Sequence, residues 1–332
     1  MIIHLNKNTD SSLVKEIAQK YEAVELQKEN EIVLITPYSV KEVDEKYHTY
    51  ILKSWVFEND MQLASRKYIS ETREIKIGNF SIGGKNRNTL LTIGPCGVES
   101  KEQIEITAEL IKECGLHTLR AGSFKPRTSP YSFQGMGVDG LKLLAAMRGK
   151  YGFPIITEVR DSTHVDDVIA YADVIQIGAK AMYDHGILRK CGKTKKPILL
   201  KRGFGSTLQE FVQAAEFILS GGNDNVMLCE RGIRTFETKS RFTLDLCGVA
   251  YLKEYTNLPI ILDPSHAMGY AYGVPDLARA CMAMDVDGLL IEVHPDPKTA
   301  KSDASQQLNH VEFRKLYESL KLVAKAVNRN II

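Results

Sequence analysis

Four residues of this chain carry side chains suited to hold a divalent transition metal: Cys96, His266, Glu292 and Asp303. A thiolate, an imidazole and two carboxylates form a mixed sulfur, nitrogen and oxygen set. Four protein ligands leave room for one more, so a substrate oxygen could be polarised there. Each residue alone has an ordinary reading, as a small buried thiol or a hydrogen-bonded histidine. Position strengthens the group: its members end or follow the short apolar runs 90–94, 259–262 and 288–292.

A second group is cationic: Arg120, Lys125, Arg127, Lys180, Lys201, Arg202, Arg231 and Arg234. These too end or follow apolar runs. The chain has 43 basic and 41 acidic residues, so no global excess favours nucleic acid or a membrane surface. A local focus of cations against a near-neutral background reads as a pocket for polyanions. Arg suits bidentate phosphate and carboxylate contacts, and Lys supplies a point charge or a proton. Eight cations suit two phosphorylated substrates, or one that also bears a carboxylate.

The elements that must position these groups form a rhythm. Eight apolar runs (90–94, 118–122, 154–158, 174–178, 197–201, 226–229, 259–262, 288–292) alternate with helical patterns. The patterns cover 102–114, 138–148, 164–171, 183–190, 207–219, 242–254, 275–284 and 311–327. Eight strands each followed by a helix predict an α/β fold, a (β/α)8 TIM barrel, whose chemistry lies where strands exit toward helices. A doubly wound sheet is the competing α/β fold; the absence of G-x-G-x-x-G favours the barrel. Ahead of it, residues 1–72 read as strand, helix, strand, helix, with the second helix near Val43, Tyr47, Tyr50, Ile51 and Leu52. That predicts a small α+β domain, with 73–332 as the barrel preceded by a hairpin turning at Gly78-Asn79. The six cysteines form no C-x-x-C pair, and no apolar run approaches the roughly 20 residues of a membrane span. The N-terminus is too polar for a secretory signal, so a cytoplasmic enzyme is expected.

These residues carry a resemblance. Gly94-Pro95-Cys96, the run from Lys125 to Gly135, Leu200-Lys201-Arg202-Gly203, the run from Cys229 to Phe236, Asp263-Pro264-Ser265-His266, Glu292-Val293-His294-Pro295, and Asp303 with Gln306-Gln307-Leu308 are the matching stretches. The sequence resembles the 3-deoxy-D-arabino-heptulosonate 7-phosphate (DAHP) synthases of the type I beta subgroup, which have an N-terminal ferredoxin-like domain. Lys125-Pro126-Arg127-Thr128-Ser129 distinguishes it from the octulosonate phosphate synthases, which have Lys-Ala-Asn-Arg there. The resemblance implies condensation of phosphoenolpyruvate with erythrose 4-phosphate and water, at the entry to the shikimate pathway of aromatic amino acid biosynthesis. It implies that Cys96, His266, Glu292 and Asp303 hold a divalent Mn, Fe, Co or Zn. By the same motifs Arg120, Lys125, Lys180, Lys201 and Arg231 surround phosphoenolpyruvate. Pro126, Arg127, Thr128 and Ser129 line the erythrose 4-phosphate site, with Asp263 near its hydroxyls and Arg234 at its phosphate. Glu158 resembles the carboxylate that holds a water near phosphoenolpyruvate. On chemical grounds Lys125 is expected to protonate the developing alkoxide, with a pKa lowered by neighbouring cations; the alternative is that the metal carries that charge while a bound water supplies the proton.

The chain departs from the family pattern twice. Lys180-Ala181 replaces Arg-Asn after Gln-Ile-Gly-Ala, and Met268-Gly269-Tyr270-Ala271-Tyr272 replaces a stretch with a basic pair. Both changes are compatible with a paralogue that takes another phosphorylated or amino-modified aldehyde. A non-catalytic sensor on the same barrel is the remaining alternative, and the metal set argues against it. The N-terminal domain implies regulation by tyrosine or phenylalanine, and a homo-oligomer, dimer or tetramer, is expected.

Overall fold

The computed structural model describes residues 1–125 and 129–332. Its first part is an antiparallel sheet of β1 (Ile2–Asn6), β2 (Val24–Gln27), β3 (Glu31–Ile35) and β4 (Ile51–Trp55), in the order β2-β3-β1-β4, with helix α1 (Ser11–Lys20) after β1. Met1, Ile3 and Leu5 pack on Val14 and Ile17 of the helix, while Ile2, Val33 and Ile35 join the core that runs into the second part. The expected second helix is not there. Glu45–Tyr50 forms a 3-10 turn and Ile51–Trp55 becomes an edge strand paired with β1. The apolar spacing there serves both periods, and an open edge on β1 decides for the strand.

A hairpin of β5 (Glu74–Ile77) and β6 (Phe80–Gly83) turns at Gly78-Asn79 as expected. The barrel strands are β7 (Asn88–Gly94), β8 (Leu119–Arg120), β9 (Ile155–Val159), β10 (Val174–Ile177), β11 (Ile198–Lys201), β12 (Val226–Glu230), β13 (Ile260–Leu262) and β14 (Gly288–Glu292). Helices α2 (Lys101–Glu113), α3 (Gly137–Tyr151), α4 (Val165–Tyr171), α5 (His185–Lys193), α6 (Leu208–Leu219), α7 (Leu246–Tyr255), α8 (Pro264–Met268), α9 (Val274–Ala283) and α10 (His310–Ala326) intervene or follow. A short β15 (Asn330–Ile331) adds to the start of β7. All eight barrel strands are parallel, and β14 pairs with β7 from Gly288–Leu90 to Glu292–Gly94, which closes the (β/α)8 barrel. Helix starts follow local chemistry. Thr207 with Glu210 and Asn309 with Glu312 form capping boxes for α6 and α10. Asp263, followed by Pro264, caps α8. Among the described residues no helix is long and apolar enough to cross a membrane.

The barrel interior explains where the polar groups stand. Leu90, Ile156, Val174, Leu199, Met227, Ile261 and Leu290 meet inside its lower half, and Ile75, Ile77 and Ile82 of the hairpin seal the bottom. Side chains two residues on face the same way. Those positions hold Thr92, Glu158, Gln176, Lys201, Cys229, Asp263 and Glu292. Seven of the eight strands thus fill the barrel below, and six of them place an oxygen- or nitrogen-bearing side chain toward the carboxyl end, Cys229 of β12 remaining with the apolar cluster.

The stretch between β4 and the hairpin is bound to the barrel by Glu216 of α6. Its carboxylate accepts the backbone N–H groups of Gln62, Leu63 and Ala64 at 2.7, 3.1 and 2.8 Å. Burial outweighs these donors and pushes the Glu216 carboxyl from 4.5 up to about 7. The folded chain therefore holds a proton that the unfolded chain releases between those values, and stability from this site is lost as pH rises toward 7. In urea unfolding, the wild type should lose about 2–3 kcal/mol more than Glu216→Gln between pH 5 and pH 8. Parallel profiles for the two proteins would refute this.

Candidate active site

A cavity of about 360 Å³ opens at the carboxyl end of the barrel. Of the residues singled out by sequence, Lys125, Ser129, Glu158, Lys180, Lys201, Arg231, His266 and Asp303 line it. Pro126, Arg127 and Thr128 lie outside the described residues. Cys96, Arg120, Asp263 and Glu292 are buried beneath it, each at most 1% exposed.

Cys96, Glu292 and Asp303 bring their ligand atoms within 4.8 Å of one another. The Cys96 thiol lies 3.3 Å from Asp303 Oδ2. His266 adjoins the trio, with Nε2 3.4 Å from Glu292 Oε1. Burial, reinforced by the negative charge of Glu292, pushes the Cys96 thiol up to about 12. Burial likewise lowers the His266 imidazole below its ordinary value. Burial opposes the Glu292 charge, but contact with His266 and Arg120 holds the carboxyl below the usual range. Asp303 is also held low against burial, through His266 and Arg241. A buried thiol and imidazole beside two ionised carboxylates is a donor set that fits a divalent transition metal.

The surrounding side chains orient this set. Arg120 Nη1 donates to Glu292 Oε1 at 2.9 Å, and Gln306 Nε2 donates to Glu292 Oε2 at 2.6 Å. Gln307 Oε1 accepts the Cys96 backbone N–H at 3.0 Å. Asp263 Oδ1 caps α8 through the His266 N–H. Its Oδ2 lies 2.6 Å from Lys201 Nζ and 2.7 Å from His266 Nδ1. Together they hold the Asp263 carboxyl well below its usual range despite burial.

The cations divide. Arg202 does not serve the cavity: it pairs with Glu230 at 2.8 Å and Asp245 at 2.9 Å. Arg234 is exposed and stacks over Phe204. Arg120 has one orphan, Nη2, which is buried without a hydrogen-bond partner 3.7 Å from Glu158 Oε2. Lys125 Nζ donates to the Cys96 carbonyl at 3.1 Å. The expected lowering of its pKa is reversed. Burial works in that direction, but the electrostatic interactions with Cys96 and Glu158 outweigh it and raise the ammonium above its ordinary value.

Three further cavity residues escape the sequence reading, Phe204, Arg241 and Phe242. The pattern for 242–254 placed Phe242 in a helix. In the structure α7 starts only at Leu246, capped by Asp245, and Thr243 instead pairs with Ile233. Arg241 donates to Gln306 Oε1 at 2.7 Å and lies 3.4 Å from Asp303 Oδ1. The Asp245 cap, three residues before Gly248, is the signal that would have moved the helix start.

Comparison with known proteins agrees with this architecture. A phospho-2-dehydro-3-deoxyheptonate aldolase of Thermotoga maritima is 43% identical over 266 residues, 80% of this chain and 78% of the relative. A 2-dehydro-3-deoxyphosphooctonate aldolase of Bordetella petrii is 32% identical over 280 residues, 77% of this chain and 97% of the relative. A crystal structure of the Thermotoga maritima DAHP synthase matches with a TM-score of 0.81 at 36% identity, covering 100% of this chain and 99% of that one. The family model of the DAHP synthetase I family matches residues 69–329. The chain belongs to the DAHP synthetase I family of enzymes.

Proposed function

We propose that this enzyme condenses phosphoenolpyruvate with erythrose 4-phosphate and water to give DAHP and phosphate, in the cytoplasm and as a homo-oligomer. The observation that carries the reading is the cavity itself. A thiol, an imidazole and two carboxylates adjoin Lys125, Lys201 and Arg231 there, at the end of the barrel where such enzymes do chemistry. The higher identity to a heptonate than to an octonate relative supports the four-carbon aldehyde.

Cys96, His266, Glu292 and Asp303 would hold a divalent Mn, Fe, Co or Zn, which supplies Lewis-acid polarisation of a carbonyl oxygen. Lys201, Arg231 and the orphan Nη2 of Arg120 bind the anionic groups of phosphoenolpyruvate. Lys180 adds a cation at the same cavity. Ser129, with Pro126, Arg127 and Thr128, receives the aldehyde, Asp263 stands near its hydroxyls and Arg234 serves its phosphate. C3 of the enol forms the new bond to the aldehyde carbon, and Lys125 gives its proton to the aldehyde oxygen. Glu158 holds the water that adds at C2, after which the C2–O bond to phosphate breaks.

The sheet order β2-β3-β1-β4 supports a ferredoxin-like domain over residues 1–72, and with it the type I beta subgroup and a tyrosine or phenylalanine effector. A second reading, a different phosphorylated or amino-modified aldehyde, is favoured by Lys180, the departure from the family pattern that lines the cavity.

The test is phosphate release from phosphoenolpyruvate by metal-loaded protein, with erythrose 4-phosphate, arabinose 5-phosphate or no aldehyde, each with and without chelator. Chelator-sensitive turnover with erythrose 4-phosphate alone supports the reading. Failure with that aldehyde in metal-loaded protein would turn attention to the second one. A prediction on positioning goes with it. Gln306→Leu leaves Glu292 Oε2 without its donor, and Co(II) affinity, titrated directly, should fall about 10- to 100-fold. Unchanged affinity would remove Gln306 from the account.

A further inference from the structure

Arg231 differs from its neighbours in how its charge is held. Lys201 and Arg202 are tied to carboxylates. Arg231 is 5% exposed and has no ion pair among the described residues. Burial accordingly lowers its pKa. Among the described residues its guanidinium makes one hydrogen bond, a long one from Nη1 to the Gly232 carbonyl at 3.5 Å. What lies against the guanidinium is the Phe242 ring, 4.3 Å from its carbon to the ring centroid.

The ring is itself fixed. Phe242 N–H donates to the Ala267 carbonyl at 2.9 Å, and its neighbours Arg241 and Thr243 donate to Met268 and Ile233. Gly232, at φ +95°, allows the approach, because a Cβ there would stand 2.7 Å from Phe242 Cβ. Behind Phe242 stacks Phe204, with centroids 5.5 Å apart and planes 28° from parallel. Arg234 lies over Phe204 at 4.9 Å. The cavity wall thus joins Arg231, Phe242, Phe204 and Arg234 by successive contacts, with Arg241 also over the Phe242 ring at 5.8 Å, and both rings line the cavity.

A face contact with an aromatic ring attracts a guanidinium without using its N–H groups, which lie in the plane of the cation. An ion pair would have occupied them. We infer that Phe242 is the positioning residue for Arg231, holding its guanidinium by the face so that its N–H edge stays free for the phosphate or carboxylate of an anionic substrate. The inference rests on the assignment of Arg231 to phosphoenolpyruvate.

The test uses the full-length, metal-loaded enzyme with Phe242→Leu, Phe242→Tyr, Arg231→Lys and the double variant Arg231→Lys/Phe242→Leu. Phosphoenolpyruvate binding is measured by calorimetry and by KM. Phe242→Leu should weaken phosphoenolpyruvate about tenfold, with kcat and the aldehyde KM within about twofold of wild type. Phe242→Tyr, which keeps the ring, should restore wild-type affinity. In the Arg231→Lys background the Leu substitution should have no further effect, since the planar cation is gone. Equal behaviour of the Leu and Tyr variants, or additive losses in the double variant, would overturn the inference while leaving Arg231 as a ligand. Failure of the wild type to bind phosphoenolpyruvate would instead overturn the assignment on which it rests.

Discussion

Cys96→Ala should bind no stoichiometric divalent metal and should turn over about 1,000-fold more slowly than the wild type, a loss of about 4 kcal/mol in transition-state stabilisation. The thiol is the one soft donor of the set. It is buried, and its backbone N–H is pinned by Gln307, so no other side chain replaces it in the loop after β7. His266, Glu292 and Asp303 would remain, without the sulfur. Fold stability should change little, because a thiol replaced by a methyl loses only a small apolar group. Metal content by elemental analysis, phosphate release and the unfolding midpoint separate these effects. Full metal occupancy with near-wild-type turnover in Cys96→Ala would exclude the proposed ligand set.

The arrangement behind that prediction was legible in the sequence because a barrel strand is buried on both faces. Runs such as 154–158 and 288–292 therefore stand out as apolar, and a charge inside one is conspicuous. The step from Ile156 to Glu158, Leu199 to Lys201, Ile261 to Asp263 and Leu290 to Glu292 places an inward polar group two residues after an inward apolar one. What was not legible depends on partners distant in the chain. Arg202 looks like Lys201 in sequence, but Arg202 meets Glu230 and Asp245 outside the cavity while Lys201 meets Asp263 inside it. Gln306 carries no charge to draw notice, yet it joins Glu292 to Arg241. Phe242 was absorbed into a helical spacing over 242–254 whose helix starts only at Leu246, because the pairing of Ile233 with Thr243 overrides local periodicity. In the first part, Tyr47 to Leu52 fitted a helix by spacing, but the free edge of β1 draws Ile51–Trp55 into the sheet.

Lys125→Met should keep full metal occupancy and lose about 1,000-fold in kcat, which sets it apart from Cys96→Ala. Lys125 is 5% exposed, anchored to the Cys96 carbonyl, and faces the same cavity as Glu158. Removing its ammonium takes away the proposed proton donor but none of the four residues proposed to hold the metal. The raised pKa fixes the pH behaviour. Burial opposes the charge, yet the electrostatic interactions with Cys96 and Glu158 keep the proton bound, so it is in place throughout pH 6 to 9 and is lost only above that range. The alkaline limb of kcat/KM should therefore show no fall below about pH 9 that vanishes in Lys125→Met. Lys125→Arg keeps a positive charge for phosphoenolpyruvate but not a proton that leaves readily, so its KM should recover more than its kcat. Metal content, steady-state constants and the pH profile are measured on the same preparations. A Met variant within about tenfold of wild type in kcat would transfer the proton donor's role away from Lys125, and an alkaline fall of kcat/KM near neutrality that Lys125→Met abolishes would show that the ammonium is not held above its ordinary value in the free enzyme.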